Sequence, residues 1–426
     1  MKRHRSGHII HKRLHSGAEW HSALFWRYRG TIQMRIMTSL RGSLFIVILV
    51  LLMCPVAWIG VWSQTNGLTG VPLATQDRLR NPGWWPTKGS AARSEYRGSV
   101  ACRECHAMKA ATQPDTPMAR AATPAGRANL LRKHDQLVFH SGTYEFQISA
   151  GADGPVYSVS DGKSSLHQTL AWAFGTGEVG QTYVFQREGS FYESRVSFYP
   201  GVQGLDLTLG HHVPSANDLA GALGRLMAGP EARLCFGCHT TASTTGGKFD
   251  VTGLIPGVTC EACHGPGARH ITAMKQKQVE RGLQAILNPA KLSPVDSVDF
   301  CGACHRTAWD VALASPVGIA DVRFQPYRLE KSRCWGKGDA RLTCVACHDP
   351  HQQLVRDPSM YDKQCLSCHL SGRDAESIRD HPGKACPRST SKCVTCHMAK
   401  YEIPGSHAQF TDHWIRIVRS NAAYPE

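Results

Sequence analysis

CRECH at residues 102–106 decides how this sequence is read: two cysteines stand two residues apart, and a histidine directly follows the second. The same five-residue pattern (here Cys102, Cys105, His106) returns as CFGCH (Cys235, Cys238, His239), CEACH (Cys260, Cys263, His264) and CGACH (Cys301, Cys304, His305). It returns again as CVACH (Cys344, Cys347, His348), CLSCH (Cys365, Cys368, His369) and CVTCH (Cys393, Cys396, His397). Fourteen of the seventeen cysteines fall in these units. Two thiols at this spacing reach the two vinyl groups of one porphyrin, and the adjoining imidazole lies beneath the plane as an iron ligand. Zinc ribbons also use Cys-x-x-Cys pairs, but they do not require a histidine next to the second cysteine. Pairs this close are also poor disulfide staples for long loops. Seven concordant copies therefore predict seven covalently attached haems c, with the seven motif histidines as proximal ligands.

The 426 residues leave room for two or three domains. The formal charge of +15 invites a nucleic-acid reading, but residues 1–42 alone hold nine Lys/Arg against one Glu. The rest of the excess is spread without runs, and haem propionates would offset it. No nucleic-acid partner is expected. SLFIVILVLLMCPVAWIGVW at 43–62 is uncharged and long enough to span a bilayer as a helix. Arg27, Arg29, Arg35 and Arg41 precede it, so the positive-inside rule places the bulk of the chain outside the cytoplasm. The expectation is an inner-membrane anchor with a basic cytoplasmic stretch at 1–42; a cleaved signal peptide is the alternative. Met34 or Met37 could equally begin the chain, leaving residues 1–33 without a role. Export permits disulfides. Cys334 and Cys386 lie outside the haem motifs and beyond the apolar segment, and are expected to pair, the alternative being two buried thiols.

Residues 63–95 read as a Gly- and Pro-rich linker and 96–135 as the first haem site. YEFQISA, PVYSVS, QTYVFQREGSFYESRVSFY and LDLTLG then alternate apolar and polar residues, predicting a β-rich insert over 136–215. Within it Gln181 to Tyr199 reads as one hairpin turning at Arg187–Gly189. Residues 216–426 carry the other six motifs in short helical pieces and loops, at irregular spacing that excludes an equal-repeat solenoid. The fold class expected is a multihaem cytochrome c: mostly short α-helices and loops wrapped around stacked haems, with the β-rich insert between the first and second haem sites.

YRGSVACRECH at 96–106, CEACHGPGARH at 260–270, CVACHDPH at 344–351, CVTCHMAK at 393–400 and GSHAQFTDHWI at 405–415 resemble periplasmic multihaem cytochromes c of the cytochrome c-554 type. The resemblance covers about half of the chain and leaves the β-rich insert unplaced. It implies electron carriage through low-spin haems in close pairs, with the motif pairs 235/260 and 365/393 suited to that arrangement. It also implies distal ligands. Ten histidines beyond the apolar segment lie outside the motifs: 134, 140, 167, 211, 212, 270, 351, 381, 407 and 413. The resemblance favours His270, His351, His407 and His413, with His211 next and the remaining five as surface or supporting residues. Relatives place a histidine where this chain has Met118, which reads as a thioether ligand of the first haem or as core filler.

The function implied is a periplasmic heptahaem cytochrome between redox-protein donors and acceptors. A second reading is an oxidoreductase acting on a small nitrogen or sulfur compound at one open haem. No Cys-x-x-Cys-Lys motif and no catalytic cluster supports that reading, although Arg323, Tyr327 and Arg328 could line a pocket. A third is a haem subunit of a larger respiratory assembly, with the strands of the insert docking a partner.

Overall fold

The computed structural model describes residues 91–210, 218–314, 318–335, 342–369, 386–419 and 423–425. The basic stretch at 1–42, the apolar segment at 43–62, nearly all of the linker, and His211, His212 and His381 lie outside them. Among the described residues no helix is long and apolar enough to cross a membrane.

The β-rich segment forms one nine-stranded antiparallel sheet. Its strands are β1 (Ala122–Pro124), β2 (Gln136–Ser141), β3 (Tyr144–Ser149), β4 (Val156–Ser160), β5 (Ser165–Phe174), β6 (Gln181–Arg187), β7 (Ser190–Tyr199), β8 (Gly204–Leu207) and β9 (Gly224–Leu226). β2 to β8 follow one another in space; β1 adds to β5 and β9 to β7. β2 and β8 come to lie beside each other, so the sheet is nearly a barrel. It extends past both ends of the expected 136–215, because β1 and β9 are too short to show an alternating pattern. The hairpin expected over Gln181 to Tyr199 is present. Arg187 pairs with Ser190 across Glu188 and Gly189, whose φ angles of 52° and 75° fit a type I′ turn.

Alternation decides what fills the barrel. Leu137, Phe146, Ile148, Tyr157, Val159, Tyr183, Phe185, Val196 and Phe198 occupy every second position and form one buried cluster. The helix Leu219–Leu223 adds Ala222 and Leu223 to it, its start capped by the Asp218 carboxylate on Gly221 N–H. With its interior packed by side chains, the barrel has no central ligand chamber. Residues of opposite parity face outward. Val184 and Phe191 join Met227, Ala232, Phe236 and Leu254 in a second cluster, which seats the helix Gly229–His239 and with it the second motif.

The other motifs sit on short helices: Gly98–Arg103, Cys260–His264, Pro294–His305, Cys344–Cys347, Asp362–His369 and Cys393–His397. Large buried apolar side chains are sparse around them, with Val298, Val322, Trp335 and Ile403 among the few.

Candidate haem-iron sites

Contacts between first cysteines pair the motifs. The thiols of Cys102 and Cys260 are close neighbours, as are those of Cys301 and Cys344, and of Cys365 and Cys393. Carboxylates bracket two of these pairs. Glu261, 1% exposed, accepts backbone N–H groups from Arg97 and Gly98, at the start of the helix carrying Cys102. Asp362, on the helix of the sixth motif, accepts those of Lys392 and Cys393 at the start of the seventh-motif helix. Unsatisfied amides at a helix start favour an anion, so an acid beside one motif fixes the helix of its partner. Cys263 lies within electrostatic reach of Cys301, and Cys347 of Cys365. The motifs thus follow one another as first, third, fourth, fifth, sixth and seventh. The second stands beside the fourth, with Cys238 Sγ 3.8 Å from the Ala303 carbonyl. Of the motif pairs named from sequence, 365/393 has its first cysteines side by side, whereas Cys260 of 235/260 meets Cys102 instead.

Imidazole rings oppose one another across three of the sites, two pairs near-parallel and the third tilted by 45°. Ring centres are 6.3 Å apart for His106 and His270, 6.1 Å for His264 and His351, and 6.3 Å for His348 and His413. A metal–nitrogen bond of about 2 Å on each side, plus the ring radius, puts two coaxial imidazoles about 6 Å apart. The second nitrogen of each distal candidate is already committed. His270 Nδ1 donates to the Gly282 carbonyl at 2.8 Å, His413 Nδ1 to Thr411 at 3.0 Å, and His351 Nδ1 to Asp349 Oδ1 at 3.1 Å. Proximal rings are held likewise: His239 by Ala121, His264 by Leu287 and His397 by Arg416 carbonyls. An Nδ1–H bound to an oxygen leaves Nε2 as the lone-pair donor a metal requires. Burial pushes the pKa values of His239, His264, His305 and His348 down and that of His413 to about 4, keeping them neutral. Arg93 Nε and Nη1 and Arg323 Nε are buried without an acceptor, as cations awaiting carboxylates would be. The residues present fit bis-histidine haems with buried propionates.

Other expectations are corrected. His270, not Met118, stands opposite His106, and the Met118 carbonyl accepts the Val258 N–H as part of the packing before the third motif. His407 Nε2 is 2.7 Å from Asp206 Oδ2 on β8, so that nitrogen is taken by a hydrogen bond to the barrel. Cys334 and Cys386 are not bonded to each other. Cys334 lies near Cys365, while the Cys386 thiol faces the backbone N–H groups of Arg388 and Ser389, which lower its pKa. Arg328 lines no open pocket. It is fully buried and makes a two-point pair with Asp412 at 2.9 Å for each bond. Arg416 Nη1 adds a bond to Asp412 at 2.6 Å, and Tyr424 and Trp414 flank the Arg328 guanidinium.

Sequence reasoning missed the barrel's part in the second site. The Ala121 carbonyl at the edge of β1 holds His239 at 3.0 Å, Phe174 of β5 meets the His239 ring edge-on at 5.1 Å, and Trp172 and Phe174 pack against Phe236. It also missed Glu261, Asp362 and Asp349, for which the only signal was an acid close to a motif cysteine or histidine. The His351 backbone N–H and the Lys109 ammonium hold the Asp349 carboxyl at about 2.

The Cytochrome c554 and c-prime family model matches residues 219–265, which include the second motif and the third. The multiheme cytochrome MtrA of Shewanella baltica (strain OS185) is 29% identical over 181 residues, 33% of this chain and 53% of that protein. This chain therefore spans about half the length of that curated relative. The crystal structure of outer cell wall cytochrome OcwA aligns over 76% of this chain and 80% of its own, at 16% identity and a TM-score of 0.42.

Proposed function

We propose that this chain, similar over residues 219–265 to the cytochrome c554 and c-prime family and over 181 residues to a multiheme cytochrome, is a multihaem c-type cytochrome that carries electrons between redox proteins through seven haems c. The observation that carries this is the set of three opposed imidazole pairs at 6.1–6.3 Å. In this reading His106 and His270 hold the first haem, His264 and His351 the third, and His348 and His413 the fifth. Each haem, when bound, supplies a one-electron Fe(III)/Fe(II) couple. The polypeptide's part is to fix the ligands and set the potentials. Glu261 and Asp362 lock neighbouring motif helices together, the Nδ1 partners prevent ring rotation, and the Asp349 carboxylate makes His351 the more electron-rich ligand.

Export belongs to the same proposal: the charge step before residues 43–62 supports a periplasmic location with that segment as inner-membrane anchor or cleaved signal. The second, fourth, sixth and seventh sites take their distal ligands from outside the opposed pairs described above, with His211 the first candidate. A redox titration followed by electron paramagnetic resonance tests the reading. Seven low-spin haems per chain are expected. A substantial high-spin fraction in native protein would instead point to an open iron and a catalytic role.

A further inference from the structure

A cleft of about 450 Å³ opens beside the second motif, lined by Arg120, Arg127, Lys133 and His134, with Glu178 as its sole acid. Glu178 is already engaged by Arg120 at 3.6 Å and Arg356 at 2.5 Å. Arg127 and Lys133 have no ion-pair partner among the described residues. A second observation points to a ligand. Gln181 lines the cleft at 5% exposure and donates Nε2–H to the Gly175 carbonyl at 2.8 Å, yet its Oε1 is buried with no donor. A buried acceptor left unsatisfied is costly and calls for a partner. The space is not a porphyrin seat, since no motif residue lines it. The Ala121 carbonyl at its edge binds His239 Nδ1 and the N–H of the lining residue Gly175. The cleft therefore lies on the Nδ1 side of the imidazole, away from the Nε2 that would face iron. Its volume is in the range of small-molecule sites, about 300–1,000 Å³.

We propose that this cleft binds a small phosphorylated or carboxylated organic molecule carrying an N–H or O–H donor. Arg127 and Lys133 take the anionic end, and Gln181 Oε1 accepts from the donor. A negative charge behind His239 stabilises oxidised iron, so occupancy lowers the potential of the haem at the second motif; this consequence rests on the haem assignment above, whereas binding does not. Calorimetry on the haem-loaded protein tests the site with adenosine monophosphate and inorganic phosphate as probes. The nucleotide should bind at submillimolar concentration and about tenfold tighter than phosphate. R127E/K133E, both exposed positions, should weaken it at least about tenfold with the visible spectrum unchanged, and Gln181→Leu should erase the nucleotide's advantage. No heat with the nucleotide, or equal affinity in R127E/K133E, overturns the site; phosphate binding as tightly as the nucleotide overturns the role given to Gln181. Saturating nucleotide should lower one midpoint in a spectroelectrochemical titration. Unmoved midpoints with binding intact would overturn the link to the second haem while leaving the cleft an anion site.

Discussion

Glu261 occupies a variable position of CEACH, yet both its carboxylate oxygens are engaged. Oε1 accepts from Arg97 and Gly267, and Oε2 from Arg97 and Gly98. Glu261→Gln keeps the shape but turns an N–H₂ toward amides that need an acceptor. It should cost about 2–3 kcal/mol in denaturant unfolding; a change near zero would remove the bracket from the account of the first and third sites. Met118 and His270 separate in the same way by substitution. His270→Ala should convert one low-spin haem to high spin, while Met118→Ala should leave every haem low-spin. A high-spin signal from Met118→Ala alone would restore the thioether. The motif was legible because its chemistry is local, all five residues lying in one turn. His270, His351 and His413 were also named as distal candidates; which motif each opposes was not legible, since alignment by resemblance finds a position in sequence, whereas His270 reaches His106 through a fold crossing of over 160 residues.

At the scale of elements, alternation in 136–210 was enough to call strands and place one hairpin turn. It could not show that the barrel's outer face carries Val184 and Phe191 for the second-motif helix, because an outward apolar residue looks like any other until its partner is known. Helix-on-helix contacts carry their own titration. Glu330 closes the helix Gln325–Glu330, and burial, then the Asp299 carboxylate, raises its pKa from 4.5 to about 7. The folded chain thus holds this proton more tightly than the unfolded one. Its contribution is full below about pH 4.5 and is lost as pH rises through 7. Glu330→Gln should therefore be more stable than the parent at pH 8 by on the order of 1 kcal/mol, the half-buried position tempering the full shift. The two proteins should converge near pH 4. A constant difference across that window in thermal unfolding would mean that Glu330 does not titrate there.

For the whole molecule, the decisive link joins the segment after the fourth motif to the chain's last residues. Arg328 and Asp412 are both fully buried, and Asp412 immediately precedes His413, the ring opposite His348. From sequence the arginine was a candidate pocket residue and the aspartate part of the resembling stretch at 405–415, and nothing local connected residues 84 positions apart. Taking two charges out of water is offset only when both partners remain; removing Arg328 leaves the buried Asp412 with Arg416 alone, at 2.6 Å, and should cost about 3 kcal/mol, the low end for a broken buried pair. Arg328→Leu should show that loss and, because the tail no longer fixes His413, a high-spin signal at the fifth site with the first and third unchanged. The double variant R328L/D412L removes both fully buried charges, and Arg416, partly exposed, can turn to solvent, so part of the stability should be recovered. If the link acts only through stability, the double variant will be fully low-spin again. If Asp412 also orients His413 through its bonds to the Trp414 N–H and Arg416, the double variant will be stable and still high-spin at that one site. The second outcome is expected, because those two contacts are the ones that turn the backbone on either side of the histidine.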